Sequence, residues 1–508
     1  MAESETGTLR RPGPEIWSCA SALGPAGWVW LLITVQIVVW TLVPYIAGHS
    51  LPLDVVSDGL AWGHEWQWGY YKHPPLPSWE VEAAFAALGD LGPYLLSQIS
   101  VGVTYLFVFL LGRELMPARM AAAGTALAAC VYFFSLPTPE FNHNVAQMPI
   151  WAAASFAYYK SVDTRRLAWW ILLGALGGLA LLTKYASGVL LAAMWLHLLS
   201  SAARRTLLAT PGPYLAVAAC AAVTAPHLVW LFENHFPTLA YAARRAGQTQ
   251  GAALRLAAPI RFLATQLLDI SPAILVAAIA GFFDRRTLKS IPFDGKLHFL
   301  ATLGIAPALI AAFISVATAM GLRDMWGAPM WNLSGLLIVY AAQSRWPNVR
   351  LAALTTGVAA AFVIFPFCYV VANTLGPELL GKPSRTQWPD RALAAAFAAE
   401  FQNRTGQPLH IVAGDGWLAG LIAMRDPARP SVFTDGNMKE APWITPDRLR
   451  RQGAIVVWQA DRPMPAGLRR LPDVKVIGTK TFAWPDEPKL PPLAIGWGIV
   501  RPGARGTP

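Results

Sequence analysis

Two carboxylates begin the segment that carries most of the chemically useful side chains. Asp54 and Asp58 follow directly after the first long apolar run, and Lys72 lies further along the same segment. A carboxylate at the edge of a membrane span is costly unless it is used or paired. On a helix the two acids would share a face, and in a partly dry site their pKa values would separate, which leaves one as a base. The alternative is structural: one acid caps the next helix and the other pairs with Lys72.

The composition places these residues in a membrane protein. Hydrophobic residues make up 55% of the 508 residues and charged residues only 14%, too few to cover a water-soluble surface. About 20 apolar residues cross a bilayer. We therefore predict an all-α polytopic membrane protein with about eleven transmembrane helices. The apolar runs lie near 28–47, 93–112, 119–136, 145–160, 167–183, 186–201, 213–232, 260–283, 297–320, 327–343 and 351–373.

The basic residues orient these spans, because loops rich in lysine and arginine stay in the cytoplasm. With the N-terminus inside, nearly every basic cluster falls on one side, and an odd number of spans puts the segment after residue 375 outside. The net charge of +11 is thereby explained without nucleic acid, which we do not expect as a partner. The inner clusters are Arg10 with Arg11, Arg113 with Arg119, Lys160 with Arg165 and Arg166, Arg204 with Arg205, Arg285 with Arg286 and Lys289, and Arg345 with Arg350.

Six basic residues lie on the outer side, against this rule. Lys184 and Arg323 are at outer ends of spans, and the outer loop over 233–261 contains Arg244, Arg245, Arg255 and Arg261. An anionic ligand, such as a phosphate, would explain these positive charges. The alternative is contact with the phosphates of lipid headgroups.

The composition changes near Gly376, where charges and prolines increase. Short strand-like runs, 409-LHIVAG-414 and 454-AIVVW-458, alternate with helix-like stretches, which predicts a small α/β domain. The expected organisation is a cytoplasmic tail over 1–27, a transmembrane catalytic domain over 28–375 with its first outer loop at 48–92, and a periplasmic α/β domain over 376–508.

One motif resembles a known family. The segment 68-WGYYKHPPL-76, after an acid that follows the first span, resembles the bacterial branch of the GT-C membrane glycosyltransferases. That group includes dolichyl-phosphate-mannose protein mannosyltransferases and the aminoarabinose and galacturonic acid transferases of lipid A and lipopolysaccharide core. The resemblance covers roughly residues 28–345. Within the family, the first-loop motif of this chain is most similar to that of the rhizobial galacturonic acid transferases. Supporting segments are 139-PEFNHNVAQMPIWA-152, 179-LALLTKY-185, 225-APHLVWLFENHF-236 and 326-WGAPMW-331.

The resemblance implies a reaction at the periplasmic face of the bacterial inner membrane. The donor would be a sugar on a polyprenyl monophosphate, and the acceptor would be lipid A, lipopolysaccharide core, another glycolipid or a protein. Asp54 matches the first-loop acid of the family and is the expected base. Lys72 and His73 fall where related enzymes place a basic residue near the donor phosphate, and Lys184, Arg244, Arg245 and Arg323 are further candidates.

The chain also departs from the family. Many relatives have adjacent Asp and Glu in the first outer loop, whereas Val55 follows Asp54 here. Many carry an Asp in the second outer loop, where this chain has Asn142 and Asn144 with Glu140 nearby. If two carboxylates are needed, Asp54 with Asp58 or with Glu140 supplies them.

The aromatic and histidine residues allow two interpretations each. Trp68, Tyr70 and Tyr71 either stack on the sugar or form part of an interfacial aromatic belt. His64, His73 and His143 have no compact zinc spacing, so we assign no metal ligand and no required cofactor. A bridging divalent cation is the alternative.

A lipid or sugar transporter is the competing function. Transporters bury ionisable residues at mid-span and often show repeated halves. Here the ionisable residues lie at outer span ends and the sequence shows no half-repeat, which favours the enzyme.

Overall fold

The computed structural model describes residues 23–246, 252–283, 291–485 and 489–503. A helical bundle comes first and a small sheet follows. The bundle contains α1 (Pro25–Ala47), α2 (Leu76–Leu88), α3 (Leu91–Leu115), α4 (Ala118–Ala128), α5 (His143–Thr164), α6 (Leu167–Thr183), α7 (Gly188–Leu199), α8 (Gly212–Glu233), α9 (Pro237–Ala246), α10 (Ala252–Ala280), α11 (Gly295–Thr318), α12 (Ser334–Ala341) and α13 (Leu351–Thr374). After it come α14 (Asp390–Thr405), α15 (Gly416–Arg425) and α16 (Pro446–Gln452), with strands β1 (Ile411–Gly414), β2 (Ser431–Thr434), β3 (Ala454–Gln459), β4 (Lys475–Phe482) and β5 (Leu493–Val500).

The predicted spans coincide with helices, but the number of full spans is not confirmed. Within the described ranges, six helices are long and apolar enough to cross a membrane, or seven if the bent pair Tyr185–Leu199 and Ala202–Ala209 is one span. A helix lies in each of the eleven predicted runs, yet several helices are short. In the run near 327–343, for example, a 3₁₀ turn containing Pro329 precedes α12, so only eight residues are α-helical. The chain is a multi-pass membrane protein.

The basic residues meet at one end of the bundle. Lys160, near the end of α5, pairs with Glu114 near the end of α3, with 3.0 Å between Nζ and Oε1. Lys296, at the start of α11, donates to the Leu115 carbonyl oxygen at 2.9 Å. We call this the basic end of the bundle. Arg10, Arg11, Arg285, Arg286 and Lys289 lie outside the described residues.

A π-helix over Val55–Leu60 follows Asp54. Its wide turn keeps Val55 and Val56 buried while Asp58 stays partly accessible. Such π-helical turns are frequently found at functional sites. The chain then passes so close to α2 that a Cβ added to Gly63 would lie 2.2 Å from the Ser78 carbonyl oxygen. Glycine is therefore required at position 63. Through this contact, α2 packs directly against the segment that carries Asp54 and Asp58.

The C-terminal domain is a five-stranded mixed sheet in the order β2-β1-β3-β5-β4. Strand β1 is parallel to β2 and β3, with Val412 opposite Val432 and Ile455. Strands β3 and β4 are antiparallel to β5, and Val457 lies opposite Trp497. The predicted α/β character of this segment is confirmed.

The domain packs on the first outer loop through a shared apolar core. Val55 and Val56 of the π-helix are buried in one cluster with Leu418 and Ile422 of α15. The approach is close, since a Cβ on Gly420 would lie 2.8 Å from Val56. The domain is thus a fixed support for the segment that carries Asp54 and Asp58.

Ion pairs flank this shared core. Arg425 of α15 bonds Asp90 at 2.6 Å and Asp390 at 2.7 Å. Arg429 bonds Glu82 of α2 at 2.8 Å. The pairs with Asp90 and Glu82 join the domain to the bundle, whereas the pair with Asp390 lies within the domain.

Candidate active site

Asp54 lies where the first and second outer loops meet. Its backbone N–H donates to Glu140 Oε1 at 2.7 Å, and its carboxylate accepts from the side chain of Asn142. Burial raises the pKa of Asp54, although the charges of Lys72, Arg385 and Lys184 oppose the shift. A carboxylate with a raised pKa is suited to take a proton.

Glu140 is the second carboxylate next to Asp54. Burial and the charge of Asp54 both raise its pKa. Its oxygen accepts the Asp54 amide, so Glu140 holds the backbone of that residue in place. Glu140 is thus in direct contact with Asp54, whereas the role of a second carboxylate stays a prediction for both Asp58 and Glu140.

Asp58 forms an ion pair with Lys72, with 3.2 Å between Oδ1 and Nζ. Burial raises the pKa of Asp58 to about 6, and Lys72 opposes the shift. The ammonium of Lys72 also lies 5.3 Å from the Tyr71 ring centroid and 5.5 Å from that of Trp62. The structural alternative considered for Asp58 is thus observed, and Asp58 positions Lys72.

Lys184 is a buried cation beside the two asparagines. It follows α6 directly, is 8% exposed, and donates to Asn144 Oδ1 at 2.6 Å. Asn144 in turn donates to Asn142 Oδ1 at 3.2 Å. Burial lowers the pKa of Lys184 to about 7, although the charge of Asp54 opposes the shift. An anionic ligand would compensate this buried charge.

The two histidines of the outer motifs lie against each other. The ring centroids of His73 and His143 are 4.1 Å apart, and burial lowers the pKa of His73. His73 is therefore a neutral neighbour of the lysines, not a second cation. Within the described part of the chain, no group of three His, Cys, Asp or Glu side chains could hold a metal ion.

Two other predicted cations, Arg244 and Arg323, are not among the main charges that act on Asp54. Arg244 on α9 and Arg323 before the 3₁₀ turn at Asp324–Trp331 are both exposed. The side chain of Arg245 lies outside the described residues. Other residues of the same two segments do reach the site, because Trp326 packs on Lys184 and Tyr241 packs on Tyr71.

The aromatic residues divide into structural and accessible groups. Tyr70 is buried, donates to the Trp62 carbonyl oxygen at 2.8 Å and stacks on the Trp62 ring, so it is part of the support. Trp68 is 44% exposed and Tyr71 is half-buried. Trp68 and Tyr71 therefore remain the residues able to contact a sugar.

Arg385 is a site residue that sequence reasoning missed. It lies between α13 and the C-terminal domain, and its charge acts on both Asp54 and Glu140. Its turn is attached to the end of α1, because Ser50 donates to the Arg385 carbonyl oxygen at 3.0 Å. An outer basic residue soon after the last span is the sequence feature that could have indicated it.

The C-terminal domain contributes an acidic edge to the site. Glu440 accepts a hydrogen bond from the Tyr71 hydroxyl. Burial and the neighbouring charges of Asp415 and Glu440 raise the pKa of Asp435 to about 6, and Lys72 opposes the shift. Asp435 therefore interacts with the same lysine as Asp58, although it is more than 340 residues away in sequence.

The fold has solved counterparts. The crystal structure of ArnT from Cupriavidus metallidurans bound to undecaprenyl phosphate superposes with a TM-score of 0.64, over 94% of this chain and 98% of that chain, at 15% sequence identity. The apo state gives a TM-score of 0.60. The chain has the GT-C fold. This GT-C protein also matches the model of the dolichyl-phosphate-mannose-protein mannosyltransferase family over residues 72–230.

Curated relatives agree over nearly the whole chain. The lipopolysaccharide core galacturonosyltransferase RgtA of Rhizobium johnstonii is 22% identical over 94% of this chain and 97% of its own length. The lipid A galacturonosyltransferase RgtD of the same organism is 22% identical over 78% and 82%. The predicted resemblance and the prediction of a membrane glycosyltransferase are confirmed.

Proposed function

We propose that this GT-C protein transfers a sugar from a polyprenyl-phosphate donor to a hydroxyl group of an envelope glycolipid, at the periplasmic face of the inner membrane. The observation that carries the proposal is the placement of Asp54 among Lys72, Lys184 and Arg385 at one end of the bundle. The names of the galacturonosyltransferase relatives and the undecaprenyl phosphate in the ArnT crystal support this substrate class.

The proposed reaction is a single displacement. The acceptor oxygen forms a bond to the anomeric carbon, and its proton passes to the Asp54 carboxylate. The bond between the anomeric carbon and the phosphate oxygen breaks, and the electron pair leaves with the polyprenyl phosphate. Lys72 and Lys184 stabilise the charge that develops on this leaving group. The reaction as written needs no cofactor from the protein.

Each lysine has a separate support for this task. Asp58 and the rings of Trp62 and Tyr71 hold the ammonium of Lys72. Asn144 and Trp326 hold that of Lys184. Burial lowers the pKa of Lys184 to about 7, so part of Lys184 is neutral near that pH. A bound phosphate favours the protonated form and therefore increases the charged fraction of Lys184.

The experiment is transfer by purified protein in proteoliposomes. Polyprenyl-phosphate galacturonic acid, aminoarabinose and mannose are each offered with lipid A or lipopolysaccharide core, and the products are measured by mass spectrometry. We expect one donor to give a glycolipid product whose mass increases by one sugar residue. Donor consumed without a glycosylated product, or donor moved across the bilayer unchanged, would contradict the proposal and favour a transporter.

A further inference from the structure

A buried histidine connects the first outer loop to the turn that carries Lys184. His227 lies on α8, in the segment 225-APHLVWLFENHF-236, and is 2% exposed. Its Nδ1 is 2.6 Å from the carbonyl oxygen of Trp68, the residue that begins the first-loop motif. Its Nε2 is 2.6 Å from the hydroxyl oxygen of Tyr185, which directly follows Lys184. The proposed reaction assigns no role to this histidine.

The hydrogen bonds of His227 have one consistent direction. A carbonyl oxygen can only accept, so Nδ1 carries the proton and donates to Trp68. In the neutral ring Nε2 then accepts from the Tyr185 hydroxyl, and the oxygen of that hydroxyl accepts from Thr238 at 3.2 Å. Thr238 lies at the start of α9 and is 2% exposed. One side chain therefore joins three segments: the first outer loop, the turn after α6 and the start of α9.

A second residue of α8 supports the same part of the first outer loop. Trp230 lies one turn after His227, and the two rings stack with 6.0 Å between their centroids. A Cβ added to Gly69 would lie 2.4 Å from the Trp230 ring, so this close approach requires glycine. The backbone of Trp68 and Gly69 is thus held on α8 at two points, while the Trp68 side chain stays 44% exposed.

The next part of the loop has supports of its own. The Tyr70 hydroxyl donates to the Trp62 carbonyl oxygen at 2.8 Å, and the carboxylate of Asp58 holds the ammonium of Lys72. Neither contact involves α8. Loss of the hydrogen bond from α8 would therefore move Trp68 and leave Lys72 in place.

We propose that His227 is a positioning residue for sugar transfer, which holds Trp68 at a fixed spacing from Lys184. This inference rests on the proposed function. The sugar and the phosphate of the donor are covalently joined, so the groups that contact them must keep a matching spacing. Trp68 contacts the sugar, Lys184 binds the phosphate, and hydrogen bonds connect the two segments through His227 and Tyr185. His227 itself contacts neither the donor nor the reacting atoms.

Two substitutions of His227 separate its two hydrogen bonds. In His227→Asn the amide nitrogen takes the place of Nδ1 and can still donate to Trp68. In His227→Gln the amide oxygen takes the place of Nε2 and can accept from Tyr185, but the bond to Trp68 is lost. In proteoliposome transfer assays, kcat/KM should fall by about tenfold or more in His227→Gln and by about threefold or less in His227→Asn.

Two further measurements distinguish positioning from a general loss of structure. The inhibition constant of polyprenyl phosphate without a sugar should stay within about twofold of wild type in both variants, because the phosphate contacts are unchanged. Trp68→Ala removes the ring and keeps the carbonyl oxygen, so adding His227→Gln to Trp68→Ala should cost no more than about twofold further. Equal losses in His227→Asn and His227→Gln, weaker inhibition by polyprenyl phosphate, or fully additive losses in the double variant would each overturn the proposal.

His197→Gln is the matched control. His197 is also a buried histidine that bonds a tyrosine, with 2.9 Å between its Nδ1 and the Tyr158 hydroxyl oxygen. It packs on Phe299, one turn from Lys296 at the basic end of the bundle. Its substitution should lower the unfolding temperature in the same way as His227→Gln and leave kcat/KM within about twofold of wild type. An equal loss of kcat/KM in the control would overturn the proposal.

Fluorine NMR of protein labelled with fluorotryptophan reads the position of Trp68 without any transfer, once Trp68→Phe has assigned its resonance. This resonance should shift in His227→Gln and stay in place in His227→Asn. Wild-type protein that transfers no sugar would contradict the proposed function, whereas an unchanged Trp68 resonance in His227→Gln would overturn the positioning role itself.

Discussion

Replacement of Asp54 by asparagine should remove the proposed catalytic base and leave the hydrogen bonds of this residue intact. The Asp54 amide would still donate to Glu140 Oε1, because that bond uses the backbone. The new amide oxygen would still accept from the side chain of Asn142, as the carboxylate does now. Only the proton-accepting charge is lost, so the protein should insert and fold normally.

The expected loss follows from the role of a general base. Such a base contributes about 10²- to 10⁴-fold in rate, or about 3 to 5 kcal/mol of activation free energy. Loss of the Asp54 charge also lowers the pKa of Lys184 further, since that charge now supports the ammonium. Donor binding in the variant would then weaken already below pH 7. Wild type and variant should therefore be compared over a range of pH values below 7, and kcat taken at saturating donor.

The assay is steady-state transfer in proteoliposomes with the donor varied. We expect kcat to fall by at least a hundredfold in Asp54→Asn, with a smaller change in KM for the donor. Glu140→Gln is the matched control, because its side-chain oxygen can still accept the Asp54 amide, and its loss should be about tenfold or less. If Asp54→Asn retains kcat within about threefold of wild type, or loses no more than Glu140→Gln, the assignment of the base is wrong.

The other predictions concern the lysines and the domain interface. The plot of kcat/KM against pH should fall as pH rises through about 7, because Lys184 loses its proton, and Lys184→Arg should remove this alkaline limb. Lys72→Met should raise KM for the donor by about ten- to a hundredfold in steady-state kinetics, which corresponds to the free energy of one charge-assisted hydrogen bond. Asp58→Asn should raise KM less, because Lys72 itself remains. Arg425→Ala leaves the buried Asp390 carboxylate without its ion-pair partner and should lower stability by about 3 to 5 kcal/mol in thermal or denaturant unfolding. Arg450→Ala, in an exposed pair, should cause no measurable change.

Local sequence predicted much of the site because its main residues lie in short outer segments. Asp54 and Lys184 were recognisable from their position near the ends of apolar runs, and Lys72 from its place in the motif 68-WGYYKHPPL-76. Their pairing was not. Whether Asp58 is a base or the partner of Lys72 depends on a distance of 3.2 Å that spacing along the chain does not determine.

A position on the outer side of the membrane was not sufficient to predict which other basic residues belong to the candidate site. Arg244 and Arg323 satisfy the same rule as Lys184, yet neither is among the main charges that act on Asp54. Arg385 was overlooked, although its charge reaches Asp54 and Glu140. The sequence rule reports which face of the membrane a residue occupies, but not which way it points within that face.

By itself the sequence determined that this chain resides in a membrane, where its helices lie and that a small α/β domain follows them, because these properties depend on hydrophobicity over neighbouring residues. Only the tertiary structure decided which charges meet. It brought Glu140 to Asp54, Asn144 to Lys184 and the Glu440 carboxylate to Tyr71. Electrostatic interaction and burial depend on distances in space, and the packing of the domain on the first outer loop creates those distances.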